Sequence, residues 1–248
     1  VETPRQAYQA GYAFGSFQDL VSDMNPCDIK ESIPDFHNTP RRFAQLQESA
    51  EKDVMGRRAN CEAEIALLTE WAPEYGKLIE MQIRGELPTR ITHNDTKINN
   101  VMLDEESDEA VCVIDLDTVM PGLSLYDFGD MVRTATCLAN EDEEDLSKVF
   151  IQMPFFESLA EGYLDAAHGF LTQAEIDLLA FSGWLITTEI GMRFLTDYLD
   201  GDRYFKTDKP EHNLIRARNQ LKLAQSIREK MPAMQKYVRR LVKSYKNK

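Results

Sequence analysis

The chain has 248 residues, 43% hydrophobic and 28% charged, with a formal net charge of −14 at pH 7. That is the balance of a globular domain with enough material for a core, and its acidity excludes a nucleic-acid footprint. The longest run without a charged residue, residues 6–18, holds four polar side chains and is too short for a membrane span of about 20 apolar residues.

No secretory signal opens the chain. Four widely spaced cysteines without a CxxC pair (Cys27, Cys61, Cys112, Cys137) fit reduced thiols in a cytoplasmic protein, and Cys112, inside an apolar run, reads as a small core residue. Ala7, Ala10, Gly11, Phe14, Phe17, Val21 and Met24 recur at helical steps, so residues 5–24 form an amphipathic helix. Pro26, Pro34 and Pro40 punctuate the next loop, which carries Phe36 and His37. A long charged helix follows over residues 39–69, with Pro40 as its first helical residue and a break near Gly56. Another helix covers residues 73–84, and Gly85 and Pro88 end it.

Residues 101–103 and 111–114 are short, apolar and β-branched, with a polar stretch between them, which is the pattern of a β-hairpin. Antiparallel pairing returns Asn100 and Asp115 to the same open end. Beyond Pro121-Gly122 the chain turns helical again over residues 124–138, 143–150 and 154–167. Thr172-x-x-Glu175 is a capping box opening a helix to Leu199, apolar on most faces and so the buried central one, and Asp200-Gly201-Asp202 ends it. Two further helices, 210–230 and 233–246, are separated by Pro232. Residues 228–248 carry eight Lys or Arg against one acid, on a helical pattern whose charged face is solvated. The fold class is therefore α+β, a mostly α-helical single domain with one small hairpin.

The chemistry concentrates in residues 91–104. His93-x-Asp95-x-Lys97-x-x-Asn100 sets an acid, a cation and an amide within eight residues, and a second acid, Asp115, follows the hairpin. Alone, an Asp after Asn94 is a turn residue; the whole set is what phosphoryl transfer requires. Asp95 is the candidate base and Lys97 the candidate cation on the transferred group. Asn100 and Asp115 offer the hard oxygen ligands that Mg²⁺ takes beside phosphates and water. Asn99 is excluded by the count from Asp95. Asp117 falls on the same side as Asp115 if the strand continues, as a second metal or substrate ligand. His93 buttresses the loop by hydrogen bonding. Asp127-Phe128-Gly129 has the letters of a kinase metal motif but no apolar strand before it, so Asp127 reads as a cap or brace for the segment after Asp115.

HNDTKINNVMLD (93–104), VIDLDTVMPG (113–122), YDFGD (126–130) and TEIGMRFLTDYL (188–199) together resemble the C-terminal lobe of the aminoglycoside phosphotransferase and choline kinase family, within the protein-kinase-like fold. The longest matches are most similar to the N-acetylhexosamine 1-kinases. The resemblance implies ATP as phosphoryl donor, Asp95 as catalytic base, and Asn100 and Asp115 as Mg²⁺ ligands. It implies phosphorylation of the anomeric hydroxyl of an N-acetylhexosamine, with Arg193 and Tyr204 where that family binds its sugar. Read by itself, Arg193 is also an i,i+4 partner for Glu189.

The chain departs from the family before Asp95. It starts at Val1, and nothing there looks like a strand, Gly-rich loop and strand. The expectation is a catalytic lobe whose N-terminal nucleotide-binding lobe is missing and which by itself binds ATP poorly. Other acceptors, choline or an aminoglycoside, stay open, as does a non-catalytic kinase-like binding module. A desulfatase role lacks a cysteine in a CxPxR setting.

Overall fold

A computed structural model describes residues 1–245; the end of the last helix expected at residue 246 lies outside them. The first helix, α1 (Pro4–Leu20), begins at Thr3, whose hydroxyl accepts the Gln6 N–H at 3.2 Å. Its buried small residues, Ala7, Ala10, Gly11 and Gly15, let it lie close against α6 (Met153–Ala167). The charged segment divides into α2 (Thr39–Lys52) and α3 (Glu62–Trp71). Asn38 caps α2, which makes Pro40 its second residue rather than its first, and Asp53 and Gly56, both at positive φ, end it. A short α4 (Lys77–Ile83) runs to Gly85, at φ 74°.

The strands are few and short. β2 (Val101–Leu103) and β3 (Ala110–Val113) form the expected antiparallel hairpin, with Val101 opposite Val113. A second pair was not foreseen: β1 (Arg90–Thr92) runs antiparallel to β4 (Met120–Gly122), Thr92 opposite Met120. The hairpin packs against α1 on one side only, so Val101 is buried while Cys112 is exposed, contrary to the expected core position. All four cysteines are free, and Cys61 is the buried one.

Beyond β4 comes α5 (Ser124–Ala135), then α6. The helix expected over 143–150 is only a single 3-10 turn, Leu146–Lys148, started by Asp145. The acids before it are drawn to basic partners, Glu141 to Arg133 and Glu144 to Lys209, and the Asp145 carboxylate takes the Ser147 N–H at 3.1 Å instead of leaving it to a helix. The capping box opens α7 (Gln173–Asp200) as expected, with the Thr172 hydroxyl and the Glu175 carboxylate each accepting the other's backbone N–H, and Gly201 ends it in the left-handed conformation.

Helices α2, α5 and the last one all pack on α7. At its centre Trp184 is fully buried against Trp71, Tyr75 and Phe181. By length and composition α7 could cross a membrane, yet 89% of its most apolar window is buried in this fold. Pro232 does not divide the end of the chain: α8 (His212–Tyr245) runs through it. Pro232 is exposed, and the stripe Ala224, Ile227, Met234, Val238 and Val242 stays buried on both sides of it. Packing against α6 and α7 holds the axis continuous despite the missing N–H.

Candidate active site

The loop between β1 and β2 is shaped from every side. Asn94 stands at φ 65°, a backbone conformation Asn tolerates better than most residues. Its side-chain amide donates to the Thr92 and Thr118 carbonyls at 3.2 and 3.0 Å. Thr118 in turn gives its hydroxyl to the His93 carbonyl at 2.7 Å. The β1–β4 pairing places these groups face to face. A Cβ at Gly122 would overlap the Thr92 hydroxyl, so the close approach there requires glycine.

Asp127 holds the loop from beneath. Fully buried in the first turn of α5, it accepts the backbone N–H of His93 at 2.9 Å, that of Asn94 at 2.7 Å, and the Gln18 amide at 2.7 Å. Its own carbonyl accepts the Thr96 hydroxyl at 2.6 Å. Burial pushes its carboxyl above the usual range, and the three N–H donors work against that. Gln18 is itself fixed by the Tyr163 hydroxyl at 2.6 Å. Asp127 therefore braces the loop around Asp95, not the segment after Asp115.

His93 is wholly buried between Phe14 and Phe17. Its Nε2 lies 2.9 Å from the Ile114 carbonyl and its Nδ1 accepts the Asp95 N–H at 3.3 Å. One nitrogen donates and the other accepts, which is the pattern of the neutral ring in a supporting role.

Three of the residues singled out in the sequence meet. The Lys97 ammonium lies 2.7 Å from Oδ2 of Asp95, and Nδ2 of Asn100 donates to the same oxygen at 2.9 Å and to the Asp95 carbonyl at 2.8 Å. The Asp95 and Lys97 side chains keep 29% and 40% of their surface exposed, so a substrate can reach them. Asn100 is buried and Asn99 exposed.

The base of the hairpin brings Asp115 close in turn, since the Asn100 carbonyl accepts the Ile114 N–H at 2.9 Å. Asp115 is exposed and left-handed at φ 62°, and a 3-10 turn, Leu116–Thr118, follows at once. The strand does not continue, so the period-two argument that put Asp117 on the side of Asp115 fails. Among the described residues no group of three or more His, Cys, Asp or Glu converges. Asn100 gives its Nδ2 to Asp95, and Asp115 follows directly on the residue whose N–H the Asn100 carbonyl accepts. Two hard oxygens suit Mg²⁺, which takes one or two protein oxygens and completes its shell with water and phosphate.

Arg193 and Tyr204 lie elsewhere, with no hydrogen bond to Asp95, Lys97 or Asn100 among the described residues. They meet each other, the Arg193 guanidinium donating to the Tyr204 hydroxyl at 3.3 Å and lying 5.6 Å from the Phe36, Tyr204 and Phe205 ring centres. Glu189 does not pair with Arg193. Buried at the centre of α7, it takes the Thr39 hydroxyl at 2.5 Å and stands 2.9 Å from Nδ1 of His37. Burial would raise its carboxyl, but His37 and Thr39 hold it below the usual range. The other His37 nitrogen is 3.4 Å from the Asn94 carbonyl, which links α7 to the loop. A cavity of about 550 Å³ holds Arg193 and Tyr204, and a smaller one of about 190 Å³ reaches Asn94; they share Asp35 and Phe36.

Sequence reading missed Gln18, His37, Thr118 and Glu189, which act over long separations and carry no local pattern. The family model described as "Phosphotransferase enzyme family" (APH) matches residues 1–179. Four chains of known structure are similar to this one. One is the crystal structure of aminoglycoside phosphotransferase APH(2'')-Ib, ADP-bound, with a TM-score of 0.46 and 12% identity. The alignment covers 91% of this chain and 66% of that one, so this chain spans a little under two thirds of its length.

Proposed function

Because the chain belongs to the phosphotransferase enzyme family, we propose that it carries the catalytic residues of a small-molecule kinase that moves the γ-phosphoryl group of ATP to a hydroxyl. The meeting of Asp95, Lys97 and Asn100 within 3 Å carries this reading. Asp95 orients the acceptor hydroxyl and takes its proton. Lys97, already beside Asp95, turns its charge to the transferred group. Asn100 Oδ1 and the Asp115 carboxylate are the oxygens that would hold Mg²⁺. Bound there, the ion would offset charge on the phosphates.

For the acceptor, the resemblance of residues 93–104 and 188–199 supports the anomeric hydroxyl of an N-acetylhexosamine, and the net charge of −14 suits a cationic acceptor such as an aminoglycoside or choline. A screen of acceptors with labelled ATP separates them. Met102, Val111 and Leu116 are 54%, 67% and 54% exposed on the hairpin and turn beside Asp115, which supports a nucleotide-binding lobe covering that face. A cytoplasmic location is part of the proposal.

In the full-length protein, Asp95→Asn should lower phosphoryl transfer by about a hundredfold or more while sugar binding persists. Turnover equal to wild type would remove Asp95 from the mechanism.

A further inference from the structure

Four acids, Asp35, Glu48, Asp197 and Asp200, and four bases, Arg41, Arg42, Lys52 and Arg193, line the larger cavity, but they do not pair off one to one. Asp35 pairs with Arg41, and Glu48 with Lys52. Asp197 is engaged by the backbone N–H groups of Arg203, Tyr204 and Phe205 and by the Asn213 amide. Arg42 on α2 and Arg193 on α7 remain. Among the described residues neither forms an ion pair. Arg42 donates to the neutral oxygens of Gln45 and Phe36 at 3.2 and 3.0 Å, and Arg193 to the Tyr204 hydroxyl. The Nε of Arg42 is buried without a hydrogen-bond partner, an arrangement that is costly unless something else meets it.

The two guanidiniums also repel. Burial first, and then Arg193, hold Arg42 below its ordinary pKa, with Glu189 offsetting only part. Glu189 makes no hydrogen bond to either guanidinium; its two oxygens meet His37 and Thr39 instead. Acidic residues outnumber basic ones by 42 to 28 in this chain. Two guanidiniums in one cavity with no carboxylate of the described residues within ion-pair distance of either are therefore conspicuous, and planar donors of this kind suit an oxyanion.

We infer that this cavity binds an oxyanion, a carboxylate or a phosphate, carried by the acceptor and clamped between Arg42 and Arg193. The Tyr204 hydroxyl adds a third donor, and Phe36 and Phe205 cover the faces of Arg193. Asp35 and Phe36 also line the cavity that reaches Asn94, so an acceptor anchored here lies on the way to Asp95. This rests on the kinase reading only in making the anion part of the acceptor. A polycationic acceptor meets the clamp with the wrong sign; an acidic sugar meets it with the right one.

The test is calorimetric titration of the full-length protein, without ATP, with N-acetylglucosamine, its 6-phosphate and glucuronate. One or both anions should bind about tenfold or more tightly than the neutral sugar. The advantage should shrink in about 0.5 M salt and disappear in Arg193→Gln. Which anion gains more identifies the group. Arg42→Lys, which keeps the charge, should retain more of the preference than Arg42→Gln. Equal affinity for the three sugars, or an anion preference unchanged in Arg193→Gln, overturns the inference; if the Arg42 variants fold poorly, Arg193→Gln decides alone. Asp95-dependent turnover is measured separately. Anion binding without transfer would leave the clamp and remove the kinase, and transfer to a neutral sugar without anion preference would do the reverse.

Discussion

Asn94 donates its backbone N–H to Oδ1 of Asp127 at 2.7 Å, joining residues 33 apart in sequence. The left-handed turn before Asp95 is thereby held by a buried carboxylate distant in sequence as well as by its neighbours Thr92 and His93. In Asp127→Asn one oxygen becomes an amide N–H aimed at another N–H. The variant should lose about 2–4 kcal/mol of stability, with turnover reduced more than the loss of folded protein accounts for. Thermal melting and rates per folded molecule measure both. An unchanged melting temperature would show that the brace is dispensable.

Gly11 and Gly162 mark the crossing of α1 and α6. A Cβ on Gly162 would overlap the Tyr8 carbonyl, and one on Gly11 would overlap the Leu159 carbonyl. These are backbone atoms and cannot rotate away. Gly162→Ala should therefore cost about 1–3 kcal/mol or more, while Gly169→Ala, with open space around it, should change little. Chemical denaturation of the two variants makes the comparison.

Glu175 supplies a pH prediction. Burial alone would raise its carboxyl, but the Arg90 guanidinium at 2.7 and 2.9 Å, the Thr172 N–H and the Ser124 hydroxyl bring it below the usual range. A depressed acid contributes stability above its unfolded value of about 4.3, and that contribution is lost as pH falls through the folded value. Glu175→Gln should be about 2–4 kcal/mol less stable at neutral pH, because Arg90 is left half-buried and unpaired. The gap should narrow below about pH 4. A gap that stays constant with pH would refute the ion pair as its cause.

What the sequence revealed was local. The hairpin shows in β-branched residues around a polar turn, the start of α7 in Thr172 and Glu175, and the site in the eight residues from His93 to Asn100. What it concealed depends on distance or on which side of an element is covered. β1 and β4 pair over three residues each, and Pro121-Gly122 in β4 has the letters of a turn. Cys112 sits in an apolar run, yet only one side of its hairpin is covered. Pro232 has the letters of a break, but the buried stripe on either side keeps α8 whole. Asp127 stood out by its motif, while its partners, Gln18 and the two backbone N–H groups, carry no signal at all.

The link from Tyr163 through Gln18 to Asp127 has a consequence for how activity is lost. It draws on α6, α1 and α5, so the loop around Asp95 has no stability separate from the helical body. Activity and tertiary structure should then vanish at one urea midpoint. A protease that clips away the first 20 residues would remove Gln18 from beneath the loop, and Phe14 and Phe17 from around His93, and so abolish the support of Asp95 together with the packing of α6.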